Sequence, residues 1–293
     1  MRARNILFSV TFLVAAAMLT GCGGGERREV IQNKGSDTLV NVAQAWAEAY
    51  QGVNPAVVVA VSGGGSGTGI AALINGTVDI ANASRAIKDK ESKLARDNGQ
   101  DPVKHVVGFD ALAVYLHADN PLDKISIEQL AEIYGDGGSY ASWTDLGVEV
   151  PGCKDQEIVV ISRQNNSGTY FYFRETVLGQ DDFRLGTRDM HGSKDVVDLV
   201  EKTPCAIGYS GLAYATDHVK LGCVASESGS GCTNPSVASA LDGSYPIARP
   251  LFMYTNGIPA GMVGEYMNWI KSSEGQCIIL EKGYAPAIDV NCG

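Results

Sequence analysis

The sequence predicts an α/β protein. Strand-like and helix-like segments alternate along nearly the whole chain, a pattern that places ligand sites at strand-to-helix loops. Three of those loops read almost alike: Gly35-Ser36-Asp37-Thr38, Gly65-Ser66-Gly67-Thr68 and Asn166-Ser167-Gly168-Thr169. The apolar stretch His105 to His117 is long enough to cross between lobes, and the chain length suits one large domain or two ordinary lobes.

Residues 1–22 read as an export leader rather than as part of the fold. Arg2 and Arg4 precede a short apolar run, Ile6 to Leu19, which ends in Leu19-Thr20-Gly21-Cys22. That ending resembles a bacterial lipobox, with Cys22 as the lipid-modified first residue. Residues 23–28 then serve as a tether.

Glu29 to Lys34 reads as a strand. Thr38 to Tyr50 reads as a helix, because Leu39, Val42, Ala43, Trp46 and Tyr50 share one helical face. Val57 to Val61 is continuous and mostly β-branched, which predicts a buried strand. A helix from Gly69 to Asn75, a strand from Thr77 to Ala83 and a charged surface helix from Lys88 to Asn98 follow. Ser126-Ile127-Glu128-Gln129 is a capping box ahead of Leu130, Ile133 and Tyr134, and the turn-rich loop Gly135 to Gly147 carries Trp143. Glu157 to Ser162 reads as a strand and Ser167 to Val177 as an aromatic-rich helix. Ser193 is expected to cap a helix through Val197 and Val200, ended by Thr203-Pro204. Ala206 to Tyr209 is a short strand, and the alternation continues to Gly257–Ile270 and a last helix near Glu274 to Glu281.

The formal charge of −10 disfavours nucleic acid or an anionic membrane surface as partner, and loss of the leader arginines deepens it. A small anion stays admissible, since its affinity depends on local donors. Beyond Cys22 six cysteines remain, an even number that suits disulfides in an oxidising compartment. Proximity suggests Cys223 with Cys232 and Cys277 with Cys292, leaving Cys153 with Cys205, one of fifteen connectivities. No Cys-x-x-Cys or His-Glu-x-x-His occurs, so neither a metal nor another cofactor is expected.

The chemistry sits in the three loops. A hydroxyl residue at a helix start offers an O–H and free backbone N–H groups in one direction, and the helix dipole adds positive charge there. Three such ends aimed at one point form a cage for an oxyanion. Ser62–Ile70 lacks the Lys of a phosphate-loop nucleotide site, the glycine spacing of a dinucleotide site and the Gly-x-Ser-x-Gly of a hydrolase. Arg163 and Arg85 each end an apolar strand and are candidate cations for the cage. Asp37 is the oddity, because a carboxylate repels an anion unless it caps its helix or accepts a proton from the ligand. A monoprotonated anion such as hydrogen phosphate carries that proton, and sulfate does not. A site built around a ligand hydroxyl rejects analogues lacking it by about 10⁴–10⁵ fold.

Taken together, these motifs resemble the phosphate-binding proteins that feed bacterial ABC phosphate importers. The likeness runs over essentially the whole mature chain. It rests on Gly35–Thr38, Gly63–Gly69, Gly76–Arg85, Ser162-Arg163 with Ser167–Thr169, Ala206–Tyr209 and Tyr245-Pro-Ile-Ala-Arg-Pro250. It implies a two-lobed periplasmic-binding-protein-like fold with a hinge and an interlobe ligand cleft, lobe one holding residues 29–108 plus 255–293 and lobe two 109–254. Carried over by position, the phosphate-binding residues are Ser36, Asp37, Thr38, Ser66, Gly67, Thr68, Ser84, Arg85, Arg163, Ser167, Gly168 and Thr169. Implied partners are inorganic phosphate, a membrane permease and, through Cys22, the membrane, with a monomeric receptor and no catalysis. Family members place an Asp where this chain has Arg85, and an acid where it has Asn165. Asp37 is therefore expected to accept the ligand proton, and Arg163 to be less restrained. The competing expectations are a receptor for sulfate, molybdate or tungstate, a secreted phosphatase or hydrolase using Ser66 or Ser167, and a surface lipoprotein that has lost binding.

Overall fold

The computed structural model describes residues 28–293; the leader, Cys22 and nearly all of the tether lie outside the described residues. In chain order the elements are β1 (Glu29–Gly35), α1 (Val40–Val53), β2 (Val57–Ser62), α2 (Ser66–Ile74), β3 (Ile80–Ala83), α3 (Asp89–Asp97) and the long β4 (Pro102–His117). There follow β5 (Lys124–Ser126), α4 (Ile127–Tyr134), β6 (Val159–Arg163), α5 (Gly168–Thr176), β7 (Arg188–Met190), α6 (Ser193–Glu201) and β8 (Ala206–Gly211). The chain ends with β9 (Val219–Leu221), β10 (Cys223–Ala225), β11 (Cys232–Thr233), α7 (Val237–Leu241), β12 (Ala248–Asn256), α8 (Gly261–Ile270), α9 (Ser273–Glu281) and β13 (Ala285–Pro286).

One strand ties the two lobes together. The main sheet runs β2-β1-β3-β12-β4-β8-β6-β7. The first part of β4 pairs antiparallel with β12 as far as Ala111 opposite Ala248, and from Leu112 onward β4 pairs with β8. The sheet therefore exchanges partners within β4, at Ala111/Leu112. Hydrophobic alternation gives no mark of this changeover, because the residues on either side of it, Ala111 and Leu112, are both apolar and buried.

Each lobe buries helices on both faces of its sheet. In lobe one, α1, α8 and α9 cover Ile31, Ile80, Leu251 and Met253 with Leu39, Val42, Trp46, Tyr266 and Ile279. On the opposite face α2 sets Ile70 and Leu73 against Ala81, Ala83 and Phe252. Trp46 is fully buried and its Nε1–H donates to the Gly275 carbonyl at 2.7 Å, so both its apolar body and its polar tip are satisfied. In lobe two, Tyr134, Trp143, Phe173 and Tyr209 centre one cluster, and α6 packs Val196 and Val200 with Ile161 on the other face.

The α1 stripe and the α4 capping box form as the sequence predicts, the Gln129 N–H reaching Ser126 Oγ at 3.2 Å and the Ser126 N–H reaching Gln129 Oε1 at 2.9 Å. Two expectations change. Val57–Val61 is not buried on both faces: β2 is the sheet edge, and only Val57 is buried. Ser193 does not cap α6, since Gly192 holds that place and the Asp195 carboxylate accepts the Gly192 N–H at 2.8 Å. The Ser193 hydroxyl instead accepts from Arg163. All three disulfides, Cys153–Cys205, Cys223–Cys232 and Cys277–Cys292, are formed.

Candidate oxyanion-binding site between the lobes

Parallel pairing of β1, β2 and β3 brings the ends of these strands together at the cleft, and β6 delivers its own end from the other lobe. The loops that follow carry the hydroxyls. The Ser36 hydroxyl donates to Ser84 Oγ at 2.9 Å, Ser84 Oγ lies 3.3 Å from Ser66 Oγ, and the Ser84 N–H donates to Ser66 Oγ at 3.0 Å. Across the cleft, Thr38 Oγ1 and Thr169 Oγ1 are 3.1 Å apart. Ser36, Thr38, Ser66, Ser84, Ser167 and Thr169 are all buried.

The three helix starts are similar in sequence but differ in their caps. Ser167 caps α5, its oxygen accepting the N–H groups of Thr169 and Tyr170 at 3.1 and 3.4 Å. At α2 the cap is Gly65, which adopts a φ of 90°, and a side chain there would strike the Asn166 carbonyl of the other lobe. After β1 the chain enters a short 3₁₀ turn at Asp37–Leu39. As first residues of α2 and α5, Ser66 and Gly168 present N–H groups that have no acceptor within their helices. Gly168 approaches so closely that an added Cβ would overlap Ser66 Oγ and lie 2.6 Å from Ser84 Oγ.

Not every expected residue enters this cage. Gly67 spends its N–H on the Asn166 carbonyl at 2.9 Å, and Thr68 turns back to the Gly64 carbonyl at 2.6 Å. Arg85 turns away entirely: its guanidinium pairs with both oxygens of Glu91 at 2.8 and 2.7 Å and with the Ala86 carbonyl. Burial pushes the Glu91 carboxyl up, but Arg85 and the Lys88 N–H together outweigh it and hold its pKa below the ordinary value.

Asp37, partly exposed, meets the buried Arg163 of the other lobe. Asp37 Oδ1 accepts the Gly64 N–H at 2.8 Å, and Oδ2 lies 3.3 Å from Arg163 Nη2. Asp37 is therefore not a helix cap. Arg163, expected to be loosely held beside Asn165, is instead anchored to the carbonyls of His191 at 2.7 Å and Met190 at 3.3 Å and to Ser193 Oγ at 3.0 Å. Burial lowers its pKa and Asp37 opposes that shift, so the guanidinium stays charged.

The cation that reaches the cage is Arg249, on β12 beside the crossing. Its Nη2 lies 3.2 Å from Thr38 Oγ1 and 3.1 Å from Thr169 Oγ1, and Nη1 donates to the Ser84 carbonyl at 3.2 Å. Asp110 on β4 holds it, Oδ2 accepting from Nη2 at 2.8 Å and from Nε at 3.1 Å. Both residues are 1 % exposed. Burial raises the Asp110 pKa, with Arg249 pulling against it. Arg249 lies inside the Tyr245–Pro250 motif, but its role was not read from sequence. Asp110, the lone carboxylate of β4, was the available signal, because a buried charge needs a partner.

Direct bonds cross the cleft as well. The Asn166 side-chain amide donates to the Gly64 carbonyl at 3.0 Å, and the Tyr214 hydroxyl donates to the Asp37 carbonyl at 2.6 Å. Neither the Ser66 nor the Ser167 hydroxyl contacts a histidine or carboxylate, so neither has a base to activate it as a nucleophile. Among the described residues no helix is long and apolar enough to cross a membrane, and no group of side chains is arranged to hold a metal.

The chain is similar to known proteins over most of its length. The profile of the PBP superfamily domain matches residues 23–274. The phosphate-binding protein PstS of Pseudomonas aeruginosa is 33% identical over 267 residues, covering 87% of this chain and 82% of that protein. PstS of Bacillus subtilis is 31% identical, covering 87% and 80%. A substrate-binding protein from Clostridium perfringens, solved with bound phosphate, superposes with a TM-score of 0.76 at 26% identity, over 89% of this chain and 100% of that one. An ABC-type phosphate transport receptor from Vibrio cholerae gives 0.69 at 26% identity, over 87% and 99%. The chain belongs to the PstS phosphate-binding protein family of the PBP superfamily.

Proposed function

We propose that this chain is an extracytoplasmic receptor that closes on inorganic phosphate between its lobes and delivers it to the permease of an ABC importer. It is a binding protein, not an enzyme. The observation that carries the reading is the meeting of hydroxyls from both lobes with Arg249 at one buried point. Desolvating an anion is so costly that many donors must act together, and single charge-assisted hydrogen bonds contribute only about 1.5–3 kcal/mol each. Ser36, Thr38, Ser66, Ser84, Ser167, Thr169 and Arg249 would supply donors from side chains, and Ser66 and Gly168 would add N–H groups. Asp37 would accept the proton of the monoprotonated ligand. Its support is a carboxylate fixed in place by the Gly64 N–H and Arg163. Arg163 would add positive charge beside Asp37, while Arg85, Gly67 and Thr68 would serve the protein frame.

A lipid anchor on Cys22 rests on the lipobox-like ending, and a monomer on the fact that one chain supplies every cage residue. Calorimetry with phosphate and sulfate tests the whole reading. The wild type should bind phosphate stoichiometrically and reject sulfate by about 10⁴ fold or more, and Asp37→Asn should narrow that ratio. Equal affinity of the wild type for both anions would overturn phosphate as the ligand. An Asp37→Asn variant with wild-type discrimination would remove Asp37 as proton acceptor.

A further inference from the structure

Arg85, a strand-end cation that the cage does not use, leads to a second arrangement at the mouth of the cleft. The bidentate Glu91 pair fixes the plane of its guanidinium, whose carbon stands 5.2 Å from the ring centroid of Phe171. Lys88 Nζ stands 3.2 Å from the same centroid. Arg85 and Lys88 follow β3 in lobe one, whereas Phe171 belongs to the first turn of α5 in lobe two. A ring of one lobe is thus covered by two cations of the other.

Phe171 is only half-buried and joins none of the buried apolar clusters. A groove of about 550 Å³ opens beside it, lined also by Arg174, Glu175 and Gln180. Glu91 neutralises Arg85, which lets a second cation share the ring. Burial, and after it Arg85, lowers the Lys88 pKa against the pull of Glu91, as expected for an ammonium drawn partly out of water. Partial desolvation strengthens a cation–π contact.

We propose that Phe171 is a positioning residue for closure: with Lys88 and Arg85 it forms a cation–π clasp that sets the lifetime of the closed cleft. The clasp works through α5, because the same first turn that carries Phe171 carries Gly168 and Thr169. Seating the ring under the lobe-one cations swings that helix start onto the hydroxyls of Ser66 and Ser84. The ligand arm of its test rests on the phosphate-receptor reading; the exchange arm does not.

Phosphate dissociation is measured by stopped flow, and amide exchange by mass spectrometry at the peptide containing Gly67, whose N–H bonds to Asn166 across the cleft. Phe171→Leu and Lys88→Met should release phosphate about tenfold faster and expose the Gly67 peptide to faster exchange, with the phosphate-to-sulfate ratio unchanged. Phe171→Trp, which keeps a π face, should match or slow the wild-type rate. Wild-type release and exchange in Phe171→Leu would overturn the clasp. So would equal acceleration in Leu and Trp variants, which would make ring shape rather than the π face the cause. A wild type that takes up no phosphate in calorimetry would remove the receptor reading, and the exchange comparison would still decide the clasp.

Discussion

Gly168 is the tightest point of the cage. Its backbone is not in a conformation reserved for glycine, so the requirement for glycine here is space alone. Gly168→Ala would push α5 away from Ser66 and Ser84. Overpacking of this kind costs about 1–3 kcal/mol, so phosphate affinity should fall about ten- to hundredfold in calorimetry. Glu91 gives a pH test at the same scale. Its pKa is lowered in the folded protein, so its contribution is fully present above the ordinary carboxylate range and is lost as pH falls through the folded value. The thermal-midpoint gap between wild type and Glu91→Gln should therefore be widest near neutrality and narrow as pH falls below the ordinary carboxylate range. An acid-independent gap would contradict this. Arg85 and Arg249 show why residue roles are only partly legible in sequence. Both are arginines in or beside apolar strands, and nothing local says which one faces the cleft. Partner carboxylates decide: Glu91 lies six residues on, in the first turn of α3, and captures Arg85, whereas Asp110 is distant in sequence and aims Arg249 at the threonines.

At the scale of elements, strands and helices follow closely from periodicity and capping residues. α1, α4 and α9 begin or face where their patterns place them, because those signals are local. The burial of β2 was not legible, since edge position depends on which strands become neighbours. The disulfides illustrate another non-local term. Cys153–Cys205 closes a span of 52 residues and Cys223–Cys232 one of 9. Chain-entropy scaling assigns the longer about 4 kcal/mol and the shorter about 2.5 kcal/mol. Denaturant titration of Cys153→Ser with Cys205→Ser should show the larger loss, helped by loosening of Trp143, whose Nε1–H donates to the Cys205 carbonyl at 3.0 Å. Equal losses from the two paired variants would count against loop length as the cause.

For the molecule as a whole, charge is balanced at close range. Arg85, Arg163 and Arg249 each have a carboxylate partner, Glu91, Asp37 and Asp110. The cage would therefore hold an anion by short-range donors rather than by net charge. Between about 0.01 and 1 M salt the Debye length falls from about 30 to 3 Å, yet phosphate affinity should change less than about threefold. A steep salt dependence in calorimetry would show that an unneutralised cation dominates. The α/β class was legible in the sequence from alternating elements, and the two-lobed fold from the resemblance of its ordered motifs to a known family. The changeover inside β4 was not, since Ala111 and Leu112 on either side of it are both apolar and buried and leave no compositional trace where the partners switch.

That changeover also fixes an order of assembly. β12 lies between β3 and β4 in the sheet, yet it is synthesised after the whole of lobe two. Until residues 248–256 arrive, β3 and β4 cannot complete their ladders and present open edges to any neighbouring chain. The first lobe to begin folding is thus the last to finish. A chain still being synthesised would carry an incomplete, aggregation-exposed sheet until these residues appear.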